Sequence, residues 1–347
     1  MTTAAAWQAH HIFYTAQSRP LLTECVGPLV RQLRDRGLIE RYFFINYWLE
    51  GPHVRLRIKP ASDEVAEQVR SETERSVIAF LARRPALYSV QADFFVDMQN
   101  TLLDLEFTAE EKLRYLDDRG GMLQRENNTM TVESYEPEYV KYGGPVGIDL
   151  AEWHFERSSD LVIEADSTMN VHVRTVQLGL SGQLMIVLAS SLLQETDRIH
   201  DYMLRYHEFW KRGFESTSFI REMEYEKASD GIGVAVRERF DLIDGARRAG
   251  RAEQLPPMLA SWMRHCLDLR GQIVDLARSG RLVFPSGPTG QPAPVGEEEA
   301  VERLLFPLMH MTNNRLQVTL GDEAYLAFVL TQALAPQEQP LPDPVPS

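Results

Sequence analysis

Cysteine is nearly missing from this sequence. Of 347 residues only Cys25 and Cys266 carry a thiol, and they lie far apart and outside any CxxC or Cys/His spacing. That excludes a disulfide framework and gives no zinc pattern, so both read as buried small hydrophobes. Long apolar runs are missing too. No stretch approaches the ~20 uninterrupted apolar residues of a membrane helix, and Met1 to Trp7 lacks the basic flank and apolar run of a signal peptide. A cytoplasmic protein with no membrane partner is expected. Positive charge is the minority, 36 Lys and Arg against 50 Asp and Glu for a formal charge of −14, which argues against a broad basic surface for nucleic acid. His172, His200, His207 and His265 fall into no HxxxH or HExxH pattern, so no metal site is expected. There is no GxxxxGK(S/T) loop and no GxSxG elbow, and the glycines of Ser229-Asp230-Gly231-Ile232-Gly233 do not follow a strand. A cofactor-independent enzyme or a peptide-binding protein remains.

With 44% hydrophobic and 25% charged residues, the composition is that of an ordinary globular chain. A first strand is read at His10 to Tyr14, then a helix opened by Pro20 and stopped by Gly37. Two aromatic and β-branched runs, Tyr42 to Trp48 and His53 to Lys59, are joined by Leu49-Glu50-Gly51-Pro52, a hairpin signal. An amphipathic helix over Ser62 to Arg84 follows, then a strand over Thr129 to Glu133. Helical spacing marks Ile148 to Phe155, Val171 to Leu193, Glu195 to Glu226, Val234 to Ala249, Pro257 to Arg278, Glu297 to Leu320 and Asp322 to Leu334. Pro285 to Gly296 reads as an exposed loop. The expectation is an α+β fold, a small antiparallel sheet with many surrounding helices, in one domain over residues 1–335 with a proline-rich disordered tail over 336–347.

Three segments carry chemistry. In the hairpin's second strand Val54, Leu56 and Ile58 share one face while His53, Arg55, Arg57 and Lys59 share the other. Four basic groups in a row form either an anion-binding surface, with arginines able to grip carboxylates bidentately, or a solvated sheet face paired with the abundant acids. Glu136 to Gly144 packs two carboxylates, Lys141, Tyr139, Tyr142 and a diglycine into nine residues. Glu138 beside Lys141 is either a base or orienting group next to a cation, or a surface ion pair. Near the C-terminus His310 and Asn314 share one helical face, and His310 is either structural or a proton-transfer group.

Together, Tyr42 to Trp48 with Gly51 to Arg57, Glu138 to Gly144, and His310 to Leu316 resemble, in this order, the C-terminal glutamate-elimination domain of lantibiotic dehydratases, which also occurs free-standing in thiopeptide biosynthesis. The span Trp7 to Leu334 resembles one whole copy without the tRNA-dependent glutamylation domain. The resemblance implies removal of glutamate from glutamylated Ser or Thr of a ribosomal precursor peptide, giving dehydroalanine or dehydrobutyrine. It also implies a glutamylating dehydratase subunit as partner. β-Elimination needs a base for the Cα proton, a positive environment and a grip on the departing glutamate; because the leaving group is already a carboxylate, no cofactor is implied. By motif, Arg55 and Arg57 bind the glutamyl group, Glu138 and Lys141 flank the reacting centre and His310 transfers the proton. His53, Tyr142, Asn314 and Arg315 are implied as substrate-binding neighbours. Arg55, Arg57, Glu138 and His310 are then expected in one cavity. Two positions depart from the family, which commonly has arginine where this chain has Asn46 and Lys141. Those departures keep open a second reaction of the same fold, the formal aza-[4+2] cycloaddition of two dehydroalanines that forms the thiopeptide pyridine with macrocyclisation and leader-peptide release. A non-catalytic partner that binds the precursor peptide is the third reading.

Overall fold

Alternation of apolar and basic residues along one strand sets the centre of the structure. The computed structural model describes residues 5–88, 102–103, 107–117, 120–214, 222–287 and 290–335; the tail expected over 336–347 lies outside the described residues. Strands β1 (Gln8–Phe13), β2 (Ile39–Tyr47), β3 (His53–Pro60) and β4 (Thr129–Glu133) form an antiparallel sheet in the order β2-β3-β1-β4. The register places Arg55 between Ile45 of β2 and His11 of β1, and Arg57 between Phe43 and Ala9. The β2–β3 turn takes positive φ at Glu50 (60°) and Gly51 (110°), the second readily adopted only by glycine.

The chain between β1 and β2 is a π-helical turn, Leu22–Val26, running into helix α1 (Gly27–Asp35), with Gly37 at φ 67° ending it. Helix α2 (Asp63–Arg83) begins after Ser62 and is tied to β1 by Gln8 Nε2 donating to Ala66 O, 2.7 Å. The apolar face of β3 is closed: Val54, Leu56 and Ile58 are all buried.

Helix α3 (Pro145–Thr168) is much longer than the expected Ile148 to Phe155. Its second half was hidden by Ser158 and Ser159, which break the apolar pattern; in place, both hydroxyls bond back to carbonyls of the preceding turn, His154 and Phe155. Arg19 and Arg34, on either side of the π-turn, grip α3 through Asp166 (3.0 Å) and Asp160 (3.0 Å). Helices α4 (Arg174–Leu193), α5 (Thr196–Phe214), α6 (Glu222–Arg248), α7 (Pro257–Arg278), α8 (Glu297–Arg315) and α9 (Leu320–Leu334) complete the bundle. The single helix expected over Glu195 to Glu226 is instead the whole of α5 and the start of α6, because α6 begins well before Val234. By length and composition α4 is apolar enough to cross a membrane, yet 72% of that window is buried within the protein, as in a core helix. The expected loop Pro285 to Gly296 holds a two-stranded hairpin, β5 (Val283–Ser286) and β6 (Gln291–Pro294), whose prolines masked the strand pattern. Cys25 and Cys266 are buried, and burial lifts the Cys25 thiol to about 11.

Candidate active site

The basic face of the sheet is an interior surface. His53 and Arg57 are buried at 4% and 5% exposure, against the reading of a solvated face. Arg57 Nη2 donates to His11 Nε2 at 3.1 Å, and Arg55 Nε donates to His53 Nε2 at 3.2 Å. A guanidinium can only donate, so both imidazoles are neutral acceptors at Nε2. His53 is completed by Nδ1–H donating to Gly51 O, 2.8 Å. The two imidazoles stack at 5.1 Å, and Arg55 lies over the Tyr47 ring at 3.4 Å. Burial, reinforced by the arginines, lowers His11 to about 2 and His53 to about 4. Arg57 itself is pulled down to about 10 by burial and by the charge of Arg55, and its Nε and Nη1 have no hydrogen-bond partner among the described residues.

Phe43, opposite Arg57 on β2, is where the three sequence segments meet. Arg57 lies over Tyr135 at 5.6 Å, and Tyr135 packs edge-on to Phe43 at 6.1 Å. On the other side Phe43 meets Phe155 of α3 at 5.4 Å, which in turn packs against Tyr142 at 5.5 Å and carries the Arg315 guanidinium at 4.6 Å. Arg315, from the last turn of α8, is almost wholly buried. It donates to Ser159 Oγ at 3.1 Å and to Met311 O at 2.6 Å, while Nη2 and the nearby Tyr142 hydroxyl lack partners among the described residues. Burial lowers Arg315 to about 9 and raises the Tyr142 phenol. Tyr135 donates to Glu152 Oε1 at 2.7 Å, a carboxyl that burial shifts upward. Two buried guanidiniums thus flank one aromatic cluster. An anion entering there gains strong charge-assisted hydrogen bonds in a low-dielectric setting.

The loop contributes unevenly. Gly143 (φ 82°) and Gly144 (φ 91°) turn the chain so that Tyr142 points inward and Gly143 O accepts from Val283 N of β5, 3.1 Å. Glu138 and Lys141 are exposed and paired with each other at 3.3 Å. His310 stands in a second cluster on the helical side: Nδ1 bonds Glu323 Oε1 at 2.9 Å and the ring lies 4.9 Å from Trp210. Asn314, one turn on, bonds the backbone of Asn46 on β2. The structure therefore brings His53, Arg55 and Arg57 together, sets Tyr142 and Arg315 at the margin of that cluster, and holds Glu138–Lys141 and His310 in separate pairs. His11, Tyr135 and Glu323 escaped the sequence reading. Only the β1–β3 register could have revealed His11, and nothing in sequence spacing marks Tyr135 or Glu323.

Residues 7–334 match the lantibiotic biosynthesis dehydratase C-terminal family, nearly the whole chain. The chain belongs to that family. Among solved structures this member is similar to the pyridine synthase TbtD from thiomuracin biosynthesis, with TM-score 0.71, 17% identity, 95% of this chain and 98% of that chain covered. TsrL gives TM-score 0.63 at 13% identity, covering 94% and 93%. The tRNA-dependent lantibiotic dehydratase MibB from Microbispora sp. 107891 gives 0.52 at 16% identity, covering 96% of this chain and 28% of that one. A search of curated proteins gave no match. These likenesses agree with the helix-rich fold around a small antiparallel sheet.

Proposed function

We propose that this member of the dehydratase family matures a ribosomal precursor peptide by eliminating glutamate from glutamylated Ser or Thr. Arg57 is the observation that supports this most. A buried guanidinium with two nitrogens unengaged and no ion pair among the described residues is costly to hold, and an arriving anion offsets that cost. The glutamyl ester carries one free carboxylate, and its departure creates a second. In the elimination the Cα proton is removed, the Cβ–Oγ bond breaks, and Oγ leaves as part of the new glutamate carboxylate. Arg57, with Arg55 on the same face, binds the glutamyl group; His310, whose Nε2 has no hydrogen bond within the described residues, transfers the proton. Because the leaving group is a stable carboxylate, the reaction needs no cofactor. A glutamylating dehydratase subunit is the matching partner.

The second reading, aza-[4+2] cyclisation of two dehydroalanines, is favoured by two side chains. Asn46, where the family commonly has arginine, is spent on holding α8, and Lys141, where arginine is also common, is spent on Glu138. Mass spectrometry of a glutamylated Ser/Thr peptide alongside a dehydrated, azole-bearing peptide separates the readings. Elimination releases free glutamate and leaves dehydroamino acids. Cyclisation of the second peptide with the first untouched overturns it, and binding of both without change identifies a silent peptide-binding partner.

A further inference from the structure

Glu323 is wholly buried, yet among the described residues it pairs with no arginine or lysine. Its Oε1 faces His310 Nδ1 at 2.9 Å, and its Oε2 accepts from the Tyr206 hydroxyl of α5. It sits in the first turn of α9, whose Thr319 cap and Asp322 form a reciprocal capping box, so the free N–H groups and dipole of that helix end favour a carboxylate here. Tyr206 is itself locked by aromatic packing, 4.8 Å from Phe306 and 6.1 Å from Trp210. A carboxylate fixed from two sides in this way fixes whatever it holds. His310, by contrast, is partly open to solvent, and Nε2 is the nitrogen left without a bond among the described residues.

We infer that Glu323 is a positioning residue for His310: it pins the Nδ1–H tautomer and the ring orientation, so that Nε2 is the atom that exchanges the substrate proton, while Tyr206 holds the carboxylate in place. The inference rests on the reading of His310 as the proton-transfer group. A buried acid used in this way follows the same physics as the acid of a Ser-His-Asp triad, which stabilises one tautomer of its histidine without itself taking the proton.

Nitrogen-15 NMR of the histidine rings in the full chain reads this directly, with His310→Gln assigning the signal. The wild type is expected to show a protonated Nδ1 on His310. In Glu323→Gln the amide is shared between Tyr206 and His310, and a population with protonated Nε2 is expected. With the peptide that the wild type converts, Glu323→Gln lowers kcat by roughly 10- to 100-fold, the range seen for supporting partners of ligating histidines, while KM stays put. Glu323→Asp restores part of that loss, and adding Glu323→Gln to His310→Ala costs nothing more. Tyr206→Phe, which leaves the Glu323–His310 contact in place, gives a smaller loss and covers the case of an unfolded Glu323 variant. An unchanged His310 nitrogen signature in Glu323→Gln, or the same proportional loss in the His310→Ala background, overturns the inference. If the wild type converts neither peptide, the reaction reading fails, and the NMR comparison still decides the Glu323–His310 pairing.

Discussion

Asn314 closes the edge of β2 by pairing with the backbone of Asn46 as a neighbouring strand would. Asn314 Oδ1 accepts from Asn46 N at 3.0 Å, Asn314 Nδ2 donates to Asn46 O at 2.8 Å, and Asn46 Nδ2 returns a bond to Asn314 O at 2.8 Å. Replacing Asn314 by Ala strands an N–H and a C=O of a half-buried strand. The expected destabilisation is about 1–3 kcal/mol, read as a lowered urea midpoint. An unchanged midpoint would mean that water replaces the amide without loss.

Arg57 separates stability from function. Arg57→Met keeps the volume of the side chain and removes a buried charge that makes no ion pair among the described residues, so the folded state should be as stable as the wild type or more so. Release of glutamate should fall severely, since one charge-assisted anion contact is worth about 1.5–3 kcal/mol. Loss of folding together with activity would make Arg57 structural.

Acid should unfold the protein well above the usual carboxylate range. Thr312 donates to Leu308 O, so it accepts from His154 Nε2, and His154 Nδ1 then accepts from His265 Nε2 at 3.0 Å, so that both nitrogens of His154 are engaged. Burial holds His154 well below 6.5, lowers His265 to about 3, and lowers His10 and His53 to about 4. These rings take up protons only on unfolding, so their contribution is full above 6.5 and is lost as pH falls from there toward 3–4. Well below 6.5 each loses about 1.4 kcal/mol per pH unit. Asp166, raised by burial to about 6, and Glu152 and Glu156, also raised by burial, act in the opposite sense at lower pH. Denaturant midpoints at pH 7.5 and 5.5 should therefore differ clearly; equal midpoints would sink the idea of neutral buried histidines.

Gly143→Ala should be costly for two separable reasons. Its φ is 82°, and an added Cβ would stand 2.7 Å from Cζ of the buried Phe284. Strain and overpacking together suggest about 2–4 kcal/mol. Gly250→Ala is the control: φ is 64° with nothing within 4 Å of the new Cβ, so only the roughly 1 kcal/mol of strain applies. Similar thermal shifts for the two variants would remove Phe284 from the explanation.

The hairpin, the Thr129–Glu133 strand and the Pro257–Arg278 helix were legible because each rests on a local rule, either strict alternation or unbroken helical spacing. The second half of α3 was not, since hydroxyls that look like breakers are satisfied within the helix. In the candidate site the basic face of β3 could be read from period two alone. Its partners could not: His11 arrives through strand order, Tyr135 through the return of the chain past β4, and Glu323 through the packing of α9 beside α8. Those are contacts of topology, with no trace in spacing along the chain.

The π-turn Leu22–Val26 carries a consequence for how this chain tolerates insertions and deletions. It holds an extra residue relative to α-helical winding, and α3 is gripped on both sides of it, by Arg19 before and Arg34 after. Deleting one residue here would let the wide turn close to regular α-helical winding with the faces on either side nearly in phase, whereas inserting one, or deleting a second, would rotate everything beyond it by about 100° relative to Arg19. After either of those changes Leu29, Val30 and Leu33 would leave the core whenever Arg19 kept Asp166, or Arg19 would swing away whenever they stayed. The segment between the two arginines thus tolerates a change of count in one direction only, the loss of the single residue that the wide turn holds.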